Sequence, residues 1–109
     1  MKLRLHEIEL GVANVEQSHK FYSIILGLET FVNKPELKVF QGDISPLDFN
    51  ISTHIKPNTT QISFLSDHLD EVIKKLQTSG IVFTGPAESH LGMISIQFTD
   101  PDGNLIRVN

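Results

Sequence analysis

Residues 7–28, EIELGVANVEQSHKFYSIILGL, decide the fold, because their pattern of a strand running straight into a helix recurs 54 residues later. In the first copy Ile8, Leu10 and Val12 alternate with Glu7, Glu9 and Gly11, which predicts a strand with one buried, apolar face. Asn14 is a helix N-cap with Gln17 three residues on, the spacing of a capping box. Val15, Ser18, Phe21, Tyr22, Ile25 and Leu26 then recur at helical spacing and give one stripe to lay on a sheet, and Gly27 is the stop. In the second copy Gln61–Ser66 is the strand and Asp67 or His68 starts a helix carrying Leu69, Val72, Ile73 and Leu76, ending at Gly80. Adding 54 to Glu7, Asn14, Val15 and Tyr22 gives Gln61, His68, Leu69 and Leu76, so the register holds from strand through helix.

The remaining segments complete each copy. Leu3–Val12 is the first strand; Glu29–Asn33, Leu37–Gln41 and Leu47–Thr53 are further strands, with turns at Lys34-Pro35, Gly42-Asp43 and Ser45-Pro46. On the last of them Leu47, Phe49 and Ile51 share one face, and Asp48, Asn50 and Ser52 the other. Lys56-Pro57-Asn58 is a short linker. Ile81–Phe83 is read as a strand, Gly85-Pro86 as a turn and 87–92 as a polar loop. Met93–Thr99 and Leu105–Asn109 are strands flanking the tight turn Asp100-Pro101-Asp102-Gly103-Asn104. The order is βαβββ twice, an α+β fold with a helix to cover each module's sheet. At 109 residues the chain is expected to be one domain, 1–109, whose modules, about 1–56 and 57–109, share a core.

Composition narrows function. A net charge of −4 with no basic run argues against nucleic acid or an anionic membrane surface, both of which need clustered Lys and Arg. The absence of cysteine removes disulfides, thiolate nucleophiles and cysteine metal sites, and fits a cytoplasmic location. The opening MKLRLHEIEL is an amphipathic strand instead of a signal core, and no run is long enough to span a bilayer. Phosphate-binding glycine loops, a GxSxG elbow and an HExxH helix are absent.

FYxxxLGL (Phe21, Tyr22, Leu26, Gly27, Leu28), a second strand–helix unit ending at Gly80, Gly92 before a strand, and the late DPDGN together resemble the vicinal oxygen chelate superfamily of glyoxalases, extradiol dioxygenases and bleomycin-resistance proteins. The resemblance covers nearly the whole chain. It implies paired βαβββ modules in a curved, barrel-like mixed sheet around a concave pocket, frequently in a homodimer. Metal-dependent members place ligands on the first strand seven residues before the helix start, at the same place in the second module, near the end of the last strand, and in some on the fourth strand. These positions fall on Glu7, Gln61, Arg107 and Asn50. His6 lies one residue early, and one residue reverses the face of a strand.

Arg107 stands where a carboxylate would be needed. A guanidinium has no lone pair to offer and repels a divalent cation, so no metal or other cofactor is expected. His19, His54, His68 and His90 read as solvated residues or caps. Two readings of Glu7, Asn50, Gln61 and Arg107 stand side by side. In one, Arg107 presents its fork to a small anionic or carbonyl-bearing ligand; in the other, Glu7 and Arg107 form a vestigial ion pair that adds little net stability. Glu7 and Glu9 share a strand face, where one of them with a raised pKa would serve as a general base, although a solvent-facing edge explains the pair more simply. The expected function is a metal-free small-molecule binder, a homodimer in this superfamily's manner. The alternatives are a divergent lyase, isomerase or dioxygenase using Glu7 as base or ligand, and a structural dimer with a degenerate pocket.

Overall fold

A computed structural model describes residues 2–41, 47–89 and 92–109. Its elements are β1 (Arg4–Gly11), α1 (Val15–Lys20), β2 (Thr30–Lys34), β3 (Leu37–Gln41), β4 (Asp48–Ser52), β5 (Thr60–Leu65), α2 (Leu69–Thr78), β6 (Thr84–Glu88), β7 (Ile94–Thr99) and β8 (Leu105–Val108). The βαβββ order therefore occurs twice in a mixed α+β fold, as the repeat implies. The chain gathers into two compact units, His6–Gln61 and Met1–Leu5 with Ile62–Asn109. The turns expected at Gly42-Asp43 and Ser45-Pro46, and His90, lie outside the described residues. Among those described, no helix is long and apolar enough to cross a membrane.

In the unit His6–Gln61 the strand order is β2-β3-β4-β1. β1 and β4 are parallel, and β3 is antiparallel to both β2 and β4. The register gives the sheet two unlike faces. Ile8, Leu10, Phe49, Ile51, Phe40 and Lys38 share one, and α1 packs on β3 and β4. Tyr22 meets Phe49 and Phe40 there at ring-centroid distances of 5.1 and 5.8 Å. Lys38 is buried on this face because its ammonium reaches Glu16 of α1 at 2.9 Å and also bonds the Asn33 side chain. The other face carries Glu7, Glu9 and Gly11 from β1, Asp48, Asn50 and Ser52 from β4, and Val39 and Leu37 from β3. Glu7 and Glu9 are 1% and 0% exposed, whereas Ile8 and Leu10 are half-buried. This reverses the expected burial of β1 and removes the solvent-edge reading of the two glutamates.

α1 begins as expected, with Asn14 Oδ1 accepting from the Gln17 N–H at 2.9 Å. It does not continue as one α-helix to Leu26. Residues Phe21–Ile25 form a π-helical turn, with Leu26 N–H bonded to Phe21 O. The wider turn rotates the stripe, so Val15 and Tyr22 keep their inward places while Phe21, Ile24, Ile25 and Leu26 are exposed. His19 is not merely solvated, since its Nε2 lies 2.8 Å from Thr30 Oγ1.

In the second unit the order is β5-β8-β7-β6. Val72 and Leu76 of α2 pack against Ile96 and Val108, with Phe64, Leu69, Ile73 and Phe98 around them. Arg4 and Asp67 form a two-pronged surface ion pair at 3.0 Å. The DPDGN turn is built as its residues dictate: Asp100 accepts from the backbone of Asp102 and Asn104 and from the Asn104 amide, which holds its carboxyl below the usual range, and Gly103 takes φ +88°. The expected strand Ile81–Phe83 is displaced to Thr84–Glu88, and Val82 is 88% exposed. Gly85-Pro86, read as a turn, lies inside this strand with a cis peptide. Proline is tolerated because β6 is the outermost strand of the order and its pairing with β7 shifts register between Thr84 and Ala87.

Residues 55–59 fold back over Gly11. Its N–H bonds Thr59 O at 2.8 Å and its carbonyl accepts from Asn58 at 3.1 Å. A Cβ there would stand 2.0 Å from Lys56 O and 2.7 Å from Ile55 O, whereas one on Gly27 (φ +76°) would meet nothing within 4 Å. Gly11→Ala is therefore expected to lose about 3 kcal/mol of stability and Gly27→Ala only the left-handed strain of about 1–2 kcal/mol. Urea denaturation compares them, and equal losses would contradict the close approach.

Candidate functional site

The parallel pairing of β1 with β4 sets Glu7 beside Asp48, Glu9 beside Asn50 and Gly11 beside Ser52. Side chains two residues apart on a strand share a face, so five polar groups line one side of this strand pair. Asn50 Nδ2 donates to Glu7 Oε2 at 2.8 Å, and Ser52 Oγ donates to Glu9 Oε2. Each buried carboxylate thus receives a donor from β4. An ionised carboxylate without one would lose several kcal/mol on leaving water.

The four positions singled out in the sequence are all buried: Asn50 is 0% exposed, Glu7 and Gln61 are 1% and Arg107 is 5%. The fold brings Glu7 and Asn50 into direct contact. Gln61 closes the unit His6–Gln61 at the start of β5. Arg107 belongs to the other unit, on β8 opposite Gln97. Among the described residues, Asn50 Oδ1, Gln61 Oε1 and Asp48 Oδ1 are buried acceptors with no hydrogen-bond donor.

The sequence did not single out Asp48 as a site residue, and His6 was set aside because it lies one residue early. His6, Glu7 and Asp48 place one ligand atom each within 4.8 Å of one another. Burial pushes the Asp48 carboxyl above its usual range and the Glu7 charge adds to this, while His6 and a hydrogen bond from Gln41 oppose it. The alternation of Asp48, Asn50 and Ser52 was the available signal for Asp48. For His6 it was its place next to the expected ligand position, against which alternation assigns it the face opposite Glu7.

The family model described as the Glyoxalase/Bleomycin resistance protein/Dioxygenase superfamily matches residues 4–108. The chain belongs to this superfamily. Three solved structures show the same fold. One is described as an NAD-dependent benzaldehyde dehydrogenase from Legionella pneumophila, 20% identical at a TM-score of 0.76, with 94% of this chain and 95% of that one covered. A superfamily member from Vibrio splendidus 12B01 is 17% identical at 0.71, covering 98% and 97%. Methylmalonyl-CoA epimerase from Mycobacterium tuberculosis is 14% identical at 0.76, covering 96% and 85%.

Glyoxalase-superfamily membership raises the question of a divalent ion. Glu7, Asn50, Gln61 and Arg107 fit one poorly as a set, because Arg107 offers no lone pair and is permanently cationic. His6, Glu7 and Asp48 fit better, since an imidazole with two carboxylates is a donor set that first-row divalent ions accept.

The Asp48 shift has a consequence for stability. A carboxyl raised in the folded state favours folding below its unfolded pKa, about 3.9, and that contribution is lost as pH rises through the higher folded value. Asp48→Asn, which stays neutral, is expected to gain stability over the parent as pH rises from 3 to 7. Urea midpoints across that range measure it, and a difference that does not change with pH would show that burial of Asp48 carries no penalty.

Proposed function

We propose that this superfamily member binds a small molecule on the buried polar face of β1 and β4, without a metal ion. One observation carries the reading: three buried acceptor atoms, Asn50 Oδ1, Gln61 Oε1 and Asp48 Oδ1, have no donor among the described residues. Buried polar atoms are normally satisfied. A ligand bearing hydroxyl or N–H groups would supply what these acceptors lack. Arg107, singled out by the resemblance, is proposed from its chemistry alone to take an anionic or carbonyl group, because a guanidinium matches carboxylate in a two-pronged way. Small hydroxy acids offer both kinds of group.

A second reading, an enzyme of the lyase, isomerase or dioxygenase kind, is favoured by the His6, Glu7 and Asp48 cluster. There Glu7 would be a metal ligand or the base that takes a proton from carbon. A bound divalent ion would supply Lewis acidity.

The chain is further proposed to act as a homodimer. Ile24, 75% exposed, and Phe21, Ile25, Leu26 and Phe31 present apolar surface in one stretch of sequence, and surface of this kind marks association sites.

Calorimetry with glycolate, lactate and malate tests the binder. Saturable heat is expected in the parent, weakened about tenfold or more in Asn50→Leu and in Arg107→Ala, one lost charged contact being worth over 1.4 kcal/mol. Acetate, which lacks the hydroxyl, should bind more weakly. Equal affinity in Arg107→Ala removes Arg107 as the anchor, and no heat from any hydroxy acid removes the ligand class. Stoichiometric Ni²⁺, Zn²⁺, Mn²⁺ or Fe²⁺ in the purified parent, lost in Glu7→Gln, would replace the first reading with the second. For assembly, sedimentation equilibrium is expected to give a dimer in the parent and a monomer in Ile24→Asp.

A further inference from the structure

The sheet of the unit His6–Gln61 ends on one side in β2, which among the described residues pairs only with β3. One side of its backbone therefore presents N–H and C=O groups with no strand alongside, the template on which a further strand adds. The β2–β3 register shifts between Thr30 and Val32, which leaves Phe31 with no partner on β3, and Phe31 is 66% exposed. The strand is nevertheless held in place from behind. Thr30 Oγ1 lies 2.8 Å from His19 Nε2 of α1, and the Asn33 side chain accepts from the Lys38 ammonium, which reaches Glu16 of α1 at 2.9 Å. An edge ordered in advance loses little freedom when a second strand docks on it.

Edge strands are commonly blunted by proline or by charge along their length. β6, the outermost strand of the second unit, contains Pro86, which has no N–H to donate. β2 contains no proline, and the charges of this segment stand at its two ends, Glu29 just before the strand and Lys34 as its last residue. Both are exposed, and neither belongs to an ion pair among the described residues. This charge order selects the partner. A segment with opposite signs at its ends complements itself when two copies run antiparallel, because each Glu29 then lies beside the partner's Lys34, whereas parallel copies set like charge against like. The midpoint of the segment falls between Phe31 and Val32, so a two-fold axis there lays the exposed Phe31 of each copy on the other's strand.

We propose that two copies of this chain associate by antiparallel pairing of their β2 strands, which joins the β2-β3-β4-β1 sheets of their His6–Gln61 units into one. This rests on the homodimer reading above and names the surface that carries it.

The experiment is sedimentation equilibrium of the whole chain, with amide hydrogen–deuterium exchange above and below the dimer dissociation constant. In the dimer the amides of residues 30–34 are expected to exchange about tenfold more slowly. Glu29→Lys and Lys34→Glu should each raise the dissociation constant about tenfold, two equivalent exposed charge pairs being lost at once. The double variant restores opposite signs and should return the constant to within about twofold of the parent. A monomeric parent overturns the homodimer reading and this proposal with it. A dimer whose 30–34 amides exchange as in the monomer, or whose dissociation constant ignores all three variants, leaves the homodimer standing and overturns pairing through β2. A double variant no better than the single ones overturns the antiparallel order.

Discussion

Two carboxylates inside one strand are the constraint on which the unit His6–Gln61 is arranged. Glu7 and Glu9 lie on the buried face of β1, where β4 runs alongside in one register and delivers the Asn50 amide to the first and the Ser52 hydroxyl to the second. A slip of one residue would turn both carboxylates toward the aromatic face under α1 and break both bonds. The parallel pairing is thus specified by polar side chains at least as much as by apolar ones. Replacing such pairs with hydrocarbon commonly leaves a protein as stable or more so.

Local signals in the sequence were reliable where the physics is local. The Asn14 cap, the stop at Gly27, the DPDGN turn and the paired βαβββ order all rest on a few adjacent residues, and all stand in the structure. The extent of the first helix did not, because Phe21–Ile25 closes with i→i+5 bonds while its apolar residues still fit an α-helical stripe. β6 was placed three residues early for a related reason. Ile81 and Val82 look like strand by composition, whereas Gly85-Pro86 look like a turn, and only the outermost position of β6 allows a proline within the strand.

The site was half legible. Glu7 and Gln61 emerged from the 54-residue repeat, and Asn50 from the alternation on β4; all three are buried. Which face of β1 is buried was not legible, because alternation identifies two faces without saying which one meets water, and the apolar one is the natural choice. β3 carried the missing hint. Leu37, Lys38, Val39 and Phe40 are all buried, as happens when neither face of a sheet is open to solvent. In such a sheet polarity no longer marks the outside, so the glutamates have the same claim to the interior as the isoleucines.

The balance of donors and acceptors constrains what this interior can hold. Glu7, Glu9 and Asp48 bring carboxylate oxygens, and the Asn50 and Gln61 amides leave an oxygen each without a donor, against one amide and one hydroxyl donated from β4. Buried oxygens of this kind are normally satisfied by a donor. The Glu9 end differs from the Glu7 end, because its carboxylate lies 3.9 Å from His54 Nδ1. Successive same-face residues on a strand are separated by about 7 Å, roughly the span of one small ligand. The two carboxylates of the row therefore stand about one small ligand's length apart, each with its own donor from β4.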